Sequence, residues 1–263
     1  MNKNQCKICK TCRLTVLIVS ILAAAIASWT YANGSYDKIT DTSHSKTTKS
    51  SLQPYTASYS IKKHGATIAL LSYQVKAQDS GWHITTHAKP KGLAALLTNQ
   101  TADEESQLAV KQNQLLPLTY ARTHSKEGEK RNIKINYDWT KKQADYAEGT
   151  ENHTLTLQEP TYDSLSLQLA MMQDLSTGPD SLQYHVIDDG KIEVQKYDRV
   201  AEEQLRINGK SMQTISLQRQ YGNKETRMWF APELNYLLVK MQKYRKGKLK
   251  SDLLLNQTDI AQP

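Results

Sequence analysis

From about residue 54 onwards the chain alternates between apolar and polar side chains. Tyr55, Ala57, Tyr59 and Ile61 alternate with Thr56, Ser58, Ser60 and Lys62, the period-two pattern of a strand with one buried face. Trp82, Ile84, Thr86 and Ala88 repeat it after an Asp79-Ser80-Gly81 turn. Ile133, Ile135, Tyr137 and Trp139 do the same against Asn132, Lys134, Asn136 and Asp138. Between Ile68/Leu70 and Leu71/Tyr73/Val75 the apolar phase slips by one residue, which predicts a β-bulge. Asp188-Asp189-Gly190, Asn208-Gly209, Gly222-Asn223 and Lys246-Gly247 separate further alternating runs with residues that tolerate the positive φ of tight hairpins. One segment has a different period. Leu165, Leu169, Met172 and Leu175 form a helical stripe over 163–175, with Asp163 as N-cap and Gly178-Pro179 as a stop. A short second helix fits Leu93 to Leu97. The pattern predicts an all-β, mainly antiparallel domain over 54–263, a long and strongly curved sheet with one amphipathic helix on or inside it.

The first 53 residues read differently. Lys3, Lys7, Lys10 and Arg13 precede an uncharged run from Leu14 to Ala32. A basic start, a short apolar core and small residues make an export signal, with cleavage expected at Ala32 and Ala25-Ile26-Ala27 as second choice. The core suits a signal of about 7–15 apolar residues, whereas a spanning helix takes about 20. Extended through Trp29 and Tyr31, residues 14–32 would instead anchor the chain in the inner membrane. Either way the folded part is expected in the periplasm of a Gram-negative bacterium, away from ATP, nicotinamide cofactors and chromosomal DNA. Residues 33–53 are rich in Ser, Thr, Lys and Asp and read as a flexible linker.

Charge and chemistry narrow the function by exclusion. The formal net charge of +8 includes four leader cations, so about +4 remains without them, too little for a nucleic-acid binder. Cys6, Cys9 and Cys12 resemble a metal run, but all three lie in the leader, and the exported part has no thiol. His83 and His87 would lie about 13 Å apart on a strand, too far to share an ion. The acid pairs Glu104-Glu105, Asp188-Asp189 and Glu202-Glu203 read as solvated charge, and capping accounts for Asp163 and Ser164. No metal, no cofactor and no catalytic residue is expected.

Several short segments together resemble a family of exported bacterial proteins known as domain of unknown function 3108. They are Tyr55-x3-Tyr59, Lys91-Gly92-Leu93 with Leu96-Leu97, Leu116-Pro117-x2-Tyr120, Tyr137-Asp138-Trp139, Asp163-Ser164-Leu165-Ser166 and Trp229-Phe230-Ala231-Pro232 before Asn235-Tyr236. One departure is Leu238, where such proteins tend to carry a proline before a strand read here as beginning at Val239. The resemblance implies a fold similar to periplasmic lipoprotein carriers: a half-barrel sheet with the helix packed on its concave side, around an apolar cavity. It supplies no activity.

By that analogy the expected ligand is a lipid, a lipid-linked molecule or another amphiphile. The chain has 14 Tyr and 4 Trp but one Phe, a balance that suits cavity mouths and interfaces. Cavity candidates are Tyr59, Trp82, Tyr137, Trp139, Leu165, Leu169 and Met172, with a filled core as the alternative. Lys243, Arg245, Lys246, Lys248 and Lys250 crowd one hairpin and are candidates to meet lipid headgroups or a membrane surface, or to protect a sheet edge. The expected function is non-enzymatic amphiphile binding in the envelope. The alternatives are a scaffold that pairs with an envelope protein through a sheet edge and a hydrolase of cell-wall or lipid esters.

Overall fold

The computed structural model describes residues 52–126, 129–158 and 160–260. The expected export signal with Ala32, the three cysteines and the linker up to residue 51 lie outside the described residues. The first half of the fold runs β1 (Tyr55–Lys63), β2 (Ala66–Gln78), β3 (Gly81–Pro90), α1 (Leu93–Leu97), β4 (Thr101–Lys111) and β5 (Gln114–Lys126). It continues with β6 (Glu129–Asp138), β7 (Gln143–Glu148), β8 (Glu151–Thr156), β9 (Thr161–Tyr162) and α2 (Ser164–Leu175). The second half comprises β10 (Ser181–Asp188), β11 (Lys191–Ile207), β12 (Lys210–Tyr221), β13 (Lys224–Ala231), β14 (Leu237–Arg245) and β15 (Lys248–Thr258).

These fifteen strands make one sheet in the order β8-β7-β6-β5-β4-β3-β2-β1-β15-β14-β13-β12-β11-β10-β9. Two meanders therefore run outward from a central β1–β15 pair. Neighbours are antiparallel except β9 and β10, which pair in parallel at Thr161 and Tyr162. The sheet is strongly curved. Helix α2 touches β4 and β5 on one side and β10 and β14 on the other. Nine strand steps separate β4 from β10, roughly 43 Å in a flat sheet. A twelve-residue helix is only about 18 Å long, so the sheet must wrap around it. His153 on β8 donates from Nε2 to the Gly190 carbonyl of the β10–β11 turn at 2.7 Å. That contact brings the two ends of the sheet together without closing the strand ladder.

Local chemistry explains the elements. Tyr55, Ala57, Tyr59 and Ile61 all face the core, as their alternation predicts. The β1–β2 register passes from Ile61↔Ala69 to Lys62↔Thr67 and skips Ile68. Strand β2 therefore does carry a bulge, but at Ile68 and not at the expected slip before Leu71, where Leu70 and Leu71 pair in regular register. Asn208-Gly209 and Lys246-Gly247 adopt positive φ at both turn positions, the geometry that matches strand twist in two-residue hairpins. Gly81 has a different reason: a Cβ there would stand 1.8 Å from the Leu108 carbonyl oxygen of β4. Helix α2 starts at a full capping box. Asp163 Oδ1 accepts from the amides of Leu165 (2.9 Å) and Ser166 (3.0 Å), while Ser166 Oγ accepts from the Asp163 amide at 2.9 Å.

Two local expectations need correction. Strand β14 begins at Leu237, not Val239, and its pairing with β13 steps from Lys240 to Leu238, leaving Val239 as a bulge. The Leu238 carbonyl then accepts a 3.0 Å bond from the Tyr59 hydroxyl inside the core. Glu104 is not solvated: it faces inward at 4 % exposure, because β4 turns alternate residues from Glu104 to Leu108 into the half-barrel. Among the described residues, no helix is long and apolar enough to cross a membrane.

Candidate functional site

Antiparallel alternation puts every second connection at the same end of the sheet. The β1–β2, β7–β8, β10–β11, β12–β13 and β14–β15 turns and the α1-bearing β3–β4 connection share one end, called here the upper end. Helix α2 runs downward from it. Its last turn is tied to the β4–β5 turn at the lower end, where Gln173 Nε2 donates to the Asn113 carbonyl at 2.8 Å. Leu165, Leu169, Met172 and Leu175 are fully buried against the sheet. The upper half of the lumen stays open, as a chamber of about 780 Å³.

Apolar and phenolic surface makes up the inner part of the chamber. Leu71, Met228, Met241, Tyr59, Tyr120 and Tyr197 line the wall, and Leu167, Gln168 and Met171 of α2 form the floor. Gln168 Nε2, beside the Tyr55 hydroxyl, makes no hydrogen bond of ordinary geometry. Towards the mouth, eight cationic side chains line the chamber against three acidic ones, Asp188, Asp189 and Glu225. Arg122, Arg219 and Lys243 sit deepest among the cations, in phase with the inward residues Tyr120, Leu217 and Met241. Arg122 lies 3.9 Å from Glu104, and Arg219 lies 3.5 Å from Glu193. Lost hydration lowers the Lys243 pKa to about 8, although nearby Asp188 opposes the shift. Burial pushes the Asp188 carboxyl up.

Below the cations lies a buried polar network. Tyr120 Oη and Ser164 Oγ both donate to Glu104 Oε2, at 2.7 and 2.9 Å. Ser106 Oγ donates to Asp163 Oδ2 at 2.9 Å. Burial outweighs these bonds and raises the Asp163 pKa. Ser164 is thus a partner of Glu104 rather than part of the cap, which corrects its expected role. Outside the half-barrel, His83 pairs with Glu105 at 2.8 Å and His87 with Asp103 at 2.6 Å on an exposed strand face. A second concavity of about 730 Å³ lies over that face and is lined chiefly by Ser and Thr together with His87, Asp103 and Glu105.

The family model for proteins of unknown function DUF3108 matches residues 55–253. The chain belongs to that family. The comparison with curated proteins gives no match. Among solved structures, a beta-barrel-like protein of domain of unknown function DUF1849 from Brucella abortus superposes with a TM-score of 0.53 at 8 % identity. The match covers 80 % of this chain and 98 % of the other, and shows a shared fold. A YmcC-like-fold protein from Bacteroides fragilis matches at 10 % identity, over 78 % of this chain and 95 % of that one. Its TM-score is 0.28.

Within this DUF3108 domain the residues singled out from sequence fall into three places. Tyr59, Lys243, Arg245 and Lys250 line the chamber. Leu165, Leu169 and Met172 form the packed core below it, and Tyr137 stacks on Trp139 at 5.8 Å between centroids, away from the chamber lining. Trp139 Nε1 donates to the Pro117 carbonyl at 2.6 Å, and Trp82 packs at the core margin. Lys246 and Lys248 occupy the exposed β14–β15 turn. Sequence reasoning passed over Arg122 and Arg219. Their signal was a cation in phase with an inward apolar row, as Tyr120-x-Arg122 and Leu217-x-Arg219 are.

Proposed function

We propose that this protein is an exported, non-enzymatic envelope protein that holds an anionic amphiphile in the upper chamber. The leader pattern supports export to the periplasm, whether by a cleaved signal or with a retained anchor. One observation carries the ligand reading: the same enclosed space joins an apolar floor to a wall carrying Arg122, Arg219 and Lys243. A space of about 780 Å³ falls within the range of small-ligand sites, about 300–1,000 Å³. An acyl chain would lie against Leu71, Met228, Met241 and the α2 floor, gaining burial energy along its length. The headgroup would sit among the cations, whose charge favours phosphate or carboxylate. Pairing with a protein through a sheet edge is less well supported, because the sheet ends in a six-residue β8 and a two-residue β9.

Native mass spectrometry of protein purified from the periplasm without detergent tests the reading. A stoichiometric adduct that is released as an anionic lipid on denaturation is the expected result. Met241→Trp, which narrows the chamber from its wall, should reduce that adduct strongly while the protein stays folded. A clean apo mass, with no uptake of an added anionic lipid, would sink the proposal.

A further inference from the structure

Helix α1 is the most exposed apolar feature of the described chain. Leu93, Leu96 and Leu97 stand 79 %, 82 % and 79 % exposed, and the next large apolar side chain, Val200, reaches 58 %. The helix reads Leu-Ala-Ala-Leu-Leu and buries none of its own residues. Three leucines held in water forgo the burial energy that most leucines obtain on folding. The turn that holds them is nonetheless built. Lys91 N donates to the Ile68 carbonyl at 3.0 Å, Gly92 takes φ +64°, and Thr98 N closes on the Ala94 carbonyl at 3.0 Å. Beyond it, Gln100 is buried and contacts His124 of β5. An anchored frame thus presents the leucines outward.

We infer that this end of the half-barrel docks on an anionic membrane surface, with the α1 leucines inserted among the lipids and flanking lysines against the headgroups. Charge argues for a bilayer as the occupant. Lys89 and Lys91 precede the leucines in sequence. Next along the same rim come Lys62 and Lys63 in the β1–β2 hairpin, then Lys246 and Lys248 in the β14–β15 hairpin. On the other side of α1 the β5–β6 hairpin carries Glu129 beside the cations Lys130 and Arg131. The acidic turn residues Asp189, Glu148 and Glu151 lie towards the two ends of the sheet, away from α1 in strand order. An apolar tip inside a basic arc is the composition of an interfacial anchor, whose apolar side enters about 5–10 Å into the headgroup boundary. The chamber opens at this same end. Docking therefore brings the mouth to the lipid, so an amphiphile could pass between bilayer and chamber without crossing water. That last consequence rests on the chamber reading, whereas docking itself does not.

Vesicle co-sedimentation of the water-soluble protein released from the periplasm tests the inference. Wild type should bind vesicles of phosphatidylglycerol and phosphatidylethanolamine, and bind pure phosphatidylcholine vesicles less. Leu93→Ser/Leu96→Ser/Leu97→Ser should lose about tenfold or more of that binding while keeping its melting temperature, since it removes only exposed side chains. Lys89→Gln/Lys91→Gln should weaken binding to the anionic vesicles alone. In Leu96→Trp, the added indole emission should shift to the blue on vesicle addition. Equal sedimentation of wild type and the triple serine variant would overturn the inference. So would the absence of wild-type binding, which would turn attention to a protein partner for the leucines. Met241→Trp separates the two readings: it should lose the lipid adduct yet sediment normally.

Discussion

The two ends of the half-barrel are built from the same strands and filled differently. At the lower end α2 acts as a plug. Leu169 and Met172 are 0 % and 2 % exposed, and the Tyr55 hydroxyl reaches Met172 Sδ at 3.5 Å. At the upper end the helix stops at Asp163, and the space above it is left to tyrosines, methionines and cations. Burial of the α2 stripe in the lower half serves stability. The concavity at that end, about 330 Å³ beside the last turn of α2, is lined chiefly by polar groups such as Asn113, Gln173, Asp174 and Thr177. In the upper half the protein forgoes part of that stabilisation. There Lys243 is poorly hydrated and packing does not close the space between wall and helix, the space that the proposed amphiphile would fill.

Leu169→Ala should sharpen this contrast most, with a loss of about 2–5 kcal/mol in urea unfolding, because the lower end cannot relax around the cavity. Leu71→Ala on the chamber wall should cost clearly less, since its side chain already borders open space. Equal losses would erase the distinction between a filled end and an open one. Asp163→Ala comes next, at about 1–3 kcal/mol, because it frees two α2 amides and strands the Ser106 hydroxyl. Ser164→Ala should leave the capping box intact and cost less.

Lys243 gives a pH test. Its folded pKa of about 8 lies below the ordinary value of 10.5, so between those limits the unfolded chain holds a proton that the native state does not. Stability from this site is therefore present above pH 10.5, falls as the pH drops towards 8, and is flat below that. Lys243→Met should be the more stable protein at pH 7, and its advantage should shrink as pH rises from 8 to 10.5 in paired thermal melts. Anionic ligand retention should respond in the opposite sense, declining as wild type is taken through pH 8 and losing that dependence in the variant. At the small end, His87→Ala should change stability by less than about 0.5 kcal/mol, because its pair with Asp103 is half exposed to solvent.

Much of the lower end was legible in the chain itself. Period-two alternation named the inward residues of β1 and β6, paired turn residues marked the hairpins, and Asp163 with a leucine stripe located α2. The chamber was harder to see. Trp82 and Trp139 looked like lining because they are aromatic and in phase, yet both lie outside the space that α2 leaves open. Glu104 looked solvated because adjacent carboxylates usually are, and its burial follows from Tyr120 and Ser164 arriving from β5 and α2.

The sequence by itself determined the β-rich alternation, the tight hairpin turns, both helices and the inward faces of β1 and β6. Each of these depends on backbone periods and on residues a few positions apart. Tertiary structure decided how far the sheet curls, which brings β4 and β10 onto one short helix across nine strand steps. It also decided where α2 stops along the lumen, and so which tyrosines became core and which became wall. Curvature and helix depth are sums over the whole ladder and its bulges, and no single stretch of chain contains them.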